Sequence, residues 1–133
     1  MPNQTYSLEW LNFANRHLLT AKLLIRENHF TDSIVIEIQQ AIEKSLKATY
    51  AYWGDPIPKT HSLMPLFRYI SEKIYELKNV DEDELLSISD YYETDRYPGP
   101  KYLLPTRNEV ERFYLLAEYI YQTIYNAANN LLL

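Results

Sequence analysis

The sequence predicts an all-α protein, an up-and-down four-helix bundle with an additional short helix. Three observations predict it. Glycine occurs only twice in 133 residues, so tight reversals of the hairpin kind are scarce. Apolar residues recur at spacings of three and four along five stretches. Start and stop signals for helices fall between those stretches.

The first helix is expected from about Leu8 to Glu27, with Leu11, Ala14, Leu18, Ala21 and Ile25 on one stripe and the two alanines allowing close approach of a neighbour. The run ENHFTD interrupts it, and Thr31 is the expected N-cap of a second helix from about Asp32 to Trp53 that ends at Gly54. On that helix Ile34, Ile38, Ala41, Ser45, Ala48 and Tyr52 form one seam. Val35, Ile42, Leu46, Thr49 and Trp53 form an adjoining one, so the helix is expected to be central. The prolines of GDPIPKTH stop the helix. A third is expected from about Ser62, with Pro65 tolerated in its first turn and Leu63, Leu66, Ile70, Ile74 and Leu77 on its buried face. Asp81 and Glu84 have capping-box spacing for a shorter fourth helix ending near Tyr92. Thr106 and Glu109 repeat the spacing ahead of a fifth, with Val110, Phe113, Ala117, Ile120, Ile124 and Ala128 on one face. The chain closes on NNLLL, whose leucines either pack against a partner subunit or fray.

Length fits one domain over residues 1–133. Cysteine is absent, which removes a thiolate nucleophile and cysteine metal ligands and suits a reducing compartment such as the cytoplasm. The N-terminal MPNQTYSLEW lacks a signal-peptide pattern, and no apolar run approaches the roughly 20 residues of a membrane span. A soluble, unprocessed cytoplasmic protein without membrane contact is expected. The net charge of −5 argues against general duplex-DNA binding. Thirteen tyrosines point to bundle edges and subunit interfaces. Glycine-rich phosphate loops, HExxH and GxSxG are missing, and His17, His29 and His61 are far apart, so neither a metal site nor a cofactor is expected. The acidic run at 81–84 reads as a helix start satisfying the dipole.

Two segments carry the polar chemistry. In EIQQAIEKSLKA the residues Glu37, Gln40, Lys44 and Lys47 share a narrow face, with Gln39 and Glu43 at the border of the apolar stripe. Spacing favours a solvated face with a Glu43–Lys47 pair. The sharper alternative holds Gln39 and Glu43 against another helix, bonded to loop backbone or a basic side chain. The second segment, DRYPGPKYLLP at 95–105, sets Arg96 and Tyr97 among prolines.

QQAIEKSLKA, then PKTHSL, then DRYPG, in that order, resemble the HEPN domain, a small helical family of prokaryotes and higher eukaryotes associated with nucleotide binding. The resemblance runs from about Leu8 to Ile124. It implies an up-and-down helical bundle, usually a homodimer, and convergence of Gln40, Glu43, Lys44, Lys59, His61, Arg96 and Tyr97 on one ligand site. There Arg96 would offer a fork for phosphate, Lys59 a point charge, His61 a donor or proton carrier and Tyr97 a stacking face. The alternative is a structural lock in which Arg96 pairs with Glu43, His61 caps its helix and Tyr97 packs beneath them.

Many HEPN proteins are metal-independent endoribonucleases with Arg, a short spacer and His on one helix. That motif is absent here, since Arg16 adjoins His17 and Arg26 lies close to His29. The resemblance therefore implies a non-catalytic protein that binds a nucleotide or RNA phosphate as partner of a small nucleotidyltransferase, in a toxin–antitoxin-like pair. The alternatives are an endoribonuclease toxin using His61 and Arg96 as a rearranged catalytic pair, and a purely structural dimerising protein.

Overall fold

The structure, a computed structural model, describes residues 3–95, 97–100 and 103–129. Arg96 and the terminal leucines lie outside the described residues. The described chain forms five helices: α1 (Gln4–Arg26), α2 (Thr31–Trp53), α3 (Leu63–Ser71), α4 (Glu82–Asp95) and α5 (Arg107–Asn129). A single 3₁₀ turn, Tyr75–Leu77, follows α3, and no strand occurs among the described residues.

The central helix is α2. Both of its predicted seams are buried, apart from the half-buried Trp53 at its end. Small residues bring α1 close: Ala14 and Ala21 are fully buried, and the Ser7 hydroxyl donates to the Ala48 carbonyl at 2.9 Å. Gln4 donates to the Ala128 carbonyl at 3.0 Å and Arg107 to the Asn28 carbonyl at 2.9 Å, which fixes α5 antiparallel to α1 at both ends. Phe113, Ala117, Ile120 and Ile124 complete the core from α5.

The caps explain where the helices stop. Gly54, at φ 77°, ends α2 in the left-handed conformation that glycine adopts without a Cβ penalty, and the next amide returns to the Tyr50 carbonyl. At the start of α5 the expected box closes reciprocally. Glu109 N–H donates to the Thr106 hydroxyl at 3.1 Å, and Thr106 N–H donates to the Glu109 carboxylate at 3.0 Å.

Four expectations need correction. The first helix starts at Gln4, four residues before the expected Leu8, because the Asn3 side chain accepts from Tyr6 N–H and satisfies the first turn ahead of the apolar stripe. Thr31 is the first residue of α2 and is buried; the extended Phe30 occupies the cap position without a side-chain bond. The third helix ends at Ser71, where Lys73 and Ile74 fold back onto the Ile70 carbonyl. Ile74 and Leu77 still reach the core through the 3₁₀ turn. The fourth starts as expected, with the Asp81 carboxylate accepting from Asp83 and Glu84 N–H, but runs past Tyr92 to Asp95.

Candidate functional site

Where α2 meets α4 and the 54–62 loop, its polar residues do not behave as a solvated stripe. Glu43 is only 4 % exposed and Lys47 6 %. Lys47 donates to Glu43 Oε2 at 3.0 Å within the helix. The Nδ1–H of His61 donates to both oxygens of the same carboxylate at 3.1 and 3.2 Å. Gln39, fully buried, donates to the His61 backbone carbonyl at 2.7 Å. The structure shows the bonds of the sharper alternative, a glutamine on loop backbone and a glutamate on basic side chains with the i, i+4 pair out of water, but the partner is the 54–62 loop rather than another helix. Glu43 can sit there because two donors compensate its desolvation.

A second chain of bonds lies one residue on, about 100° around the helix. Lys44 donates to Gln40 Oε1 at 2.6 Å, and Gln40 Nε2 donates to the buried Tyr92 hydroxyl of α4 at 3.0 Å. The Tyr92 and His61 rings are 6.3 Å apart, so the two chains meet. Burial pulls the Lys44 pKa below the ordinary lysine value, with Glu43 opposing, Lys47 reinforcing and Glu37 opposing that shift. Nevertheless Lys44 forms no ion pair among the described residues: Glu43 is held by Lys47 and His61, and Glu37 by His17 at 2.9 Å.

Gln40, Glu43, Lys44 and His61 are thus joined directly or through Tyr92. Lys59 is exposed on the loop that leads to His61. Tyr97 is 70 % exposed, so it does not pack beneath the cluster, and Ser62 rather than His61 stands at the cap of α3. Position 96 lies outside the described residues. Sequence spacing missed Tyr92, because its contact with Gln40 spans 52 positions and has no local signature. It also missed the burial of Lys47, since a solvated and a buried i, i+4 pair look the same in one dimension. Among the described residues no group of His, Asp and Glu has the arrangement of a metal site, and no helix is long and apolar enough to cross a membrane.

Comparison with known proteins agrees with this architecture. The crystal structure of TT1696 from Thermus thermophilus superposes with a TM-score of 0.67, covering 90 % of this chain and 96 % of the other. At 24 % identity that likeness bears on the fold alone. A Methanocaldococcus jannaschii protein named "Putative toxin MJ1304" is 33 % identical over 107 residues, which span 74 % of this chain and 67 % of that one. The profile described as "HEPN domain" matches residues 7–127, from the first turns of α1 almost to the end of α5. This chain belongs to the HEPN domain family.

Proposed function

We propose that this chain, as a single cytoplasmic helical domain, is the HEPN member of a toxin–antitoxin-like pair, binding the phosphate of a nucleotide or RNA without catalysing a reaction itself. Its partner is a small nucleotidyltransferase, and it acts as a homodimer. The observation that carries the reading is Lys44: a half-buried side chain that forms no ion pair among the described residues, since Lys47 and His61 hold Glu43 and His17 holds Glu37, and that is therefore open to an incoming anion. Gln40 and Tyr92 orient it. Lys59 adds a second point charge, Arg96 a bidentate fork and Tyr97 a stacking face. The relative whose name carries the word toxin supports the pairing.

The test is thermal shift and calorimetry with ATP, other nucleotides and short RNA on wild type, Arg96→Ala and Lys44→Ala. A ligand at about 100 times its Kd adds about 2.7 kcal/mol to wild-type stability. Both variants, still folded, should lose most of that gain. If no ligand moves the wild type, while Arg96→Ala lowers its stability by several kcal/mol, the 95–105 segment is a structural lock and the reading fails.

One observation favours the ribonuclease alternative. His61 has its Nδ1–H committed to Glu43 and a side chain 54 % exposed, so Nε2 is the atom left to take a proton from a ribose 2′-hydroxyl. In that reading Arg96 would stabilise the charged phosphorus centre. It requires cleavage of single-stranded RNA in EDTA that His61→Ala abolishes without unfolding the protein. Intact RNA after prolonged incubation with the wild type eliminates it.

A further inference from the structure

The outer face of α1 carries Tyr6 and Phe13, which the bundle leaves exposed, beside Trp10, which packs partly on the core. Tyr6, Trp10 and Phe13 follow one another at spacings of four and three, so they share a flank of the helix. Tyr6 and Trp10 meet edge to face at 6.4 Å, and Phe13 is 50 % exposed. With Glu9 and Lys44 these three border an open apolar hollow of about 330 Å³. The Arg16 guanidinium lies over the Phe13 ring, 4.9 Å from its centroid. Tyr, Trp, Phe and Arg are the residue types enriched at the centres of protein–protein interfaces.

Glu9 and Arg16 identify the occupant. They stand about two helical turns apart, so they fall nearly on one line along α1, about 10.5 Å from each other. The midpoint lies beside Asn12 and Phe13. Neither Glu9 nor Arg16 forms an ion pair among the described residues. When two such helices run antiparallel about a two-fold axis at that midpoint, each copy's Glu9 meets the other's Arg16, and the two Phe13 rings meet at the axis. A parallel alignment would instead set glutamate on glutamate and arginine on arginine.

We propose that two copies of this chain pair antiparallel through the exposed face of α1, with Phe13 at the two-fold axis and reciprocal Glu9–Arg16 ion pairs on either side. The inference rests on the homodimer of the proposed function and names its interface. It is tested by size-exclusion chromatography with light scattering at micromolar concentration, with circular dichroism of each variant as the check on folding. Wild type should run at twice 15.9 kDa. Glu9→Arg and Arg16→Glu should each weaken the dimer roughly tenfold or more, and the double exchange should restore it. Phe13→Cys, in a chain without cysteine, should cross-link into a covalent dimer, whereas Leu115→Cys on the exposed side of α5 should not. A dimer untouched by the single exchanges, or singles that dissociate without rescue by the double, overturns this interface and leaves the homodimer standing. A wild type at 15.9 kDa overturns both.

Discussion

Two polar clusters fasten α2 to the segment that follows it, and they do so by opposite means. Along the middle of α2, Glu43, Lys47, Gln39 and His61 form a network whose charges are nearly out of water and engage one another. Toward the C-terminal end of α2, Tyr50 stacks on Tyr69 of α3 with centroids 3.8 Å apart, and the Tyr69 hydroxyl donates to the Asp55 carboxylate. Burial, followed by that bond, pushes the Tyr69 hydroxyl above the ordinary tyrosine range. Lys73 rests on the faces of Trp53 and Tyr69, 4.8 and 4.7 Å from their centroids, with its side chain at the surface. The first cluster depends on mutual compensation of buried charge and the second on ring contact, so the first is brittle and the second graded. This difference also isolates Lys44, which is neither compensated like Lys47 nor seated on rings like Lys73.

The largest effect should come from breaking compensation. Glu43→Ala leaves Lys47 buried without its counter-charge and should cost about 3–5 kcal/mol in urea unfolding. The double variant Glu43→Leu/Lys47→Met, which removes both charges, should cost clearly less than the two single losses added together. Additive losses would show that the pair is not coupled and would erase the contrast. In the aromatic cluster Tyr69→Leu should cost about 1–2 kcal/mol by removing the stack and the Asp55 bond. Lys73→Ala should cost about 0.5–1 kcal/mol there. If Lys73→Ala matched Glu43→Ala, the surface cluster would be as brittle as the buried one.

These clusters also mark where sequence reading reaches its limit. Both seams of α2 were legible because burial on a regular helix follows a 3.6-residue period, and the Thr106–Glu109 box was legible because its partners are three residues apart. The end of α3 was not, because Ile70, Ile74 and Leu77 keep helical spacing across a turn that is no longer α-helical. Asn3 was missed because a cap needs only one polar atom and leaves no periodic trace. In the site, the family resemblance singled out Gln40, Glu43, Lys44 and His61, whereas spacing alone suggested a solvated stripe. Only tertiary packing decides that Lys47 is buried and that Tyr92 receives Gln40. The α1 flank was not read from the sequence, because the spacing of Tyr6, Trp10 and Phe13 does not decide that Tyr6 and Phe13 stay exposed.

The most local of the predicted effects sharpens the comparison with a bond set that belongs to neither cluster. Glu109 accepts from Thr106 N–H and from the Tyr91 hydroxyl, the latter at 3.1 Å to both oxygens. The Thr106 backbone bond is the main cause that holds the Glu109 pKa below the usual glutamate value, against burial and with help from Tyr91, the Thr106 hydroxyl and Arg112. A carboxyl depressed in the folded state contributes stability that is present above its unfolded pKa, about 4.3, and is lost as pH falls through the folded value. Thr106→Ala should therefore cost about 1 kcal/mol near neutral pH through the lost cap. Glu109→Gln should flatten the decline in stability below about pH 4.3 relative to wild type, as read from urea midpoints between pH 7 and pH 3. An unchanged acid decline in Glu109→Gln would mean that Tyr91 and Thr106 hold the neutral acid as firmly as the carboxylate, and that the depressed pKa does not contribute to stability.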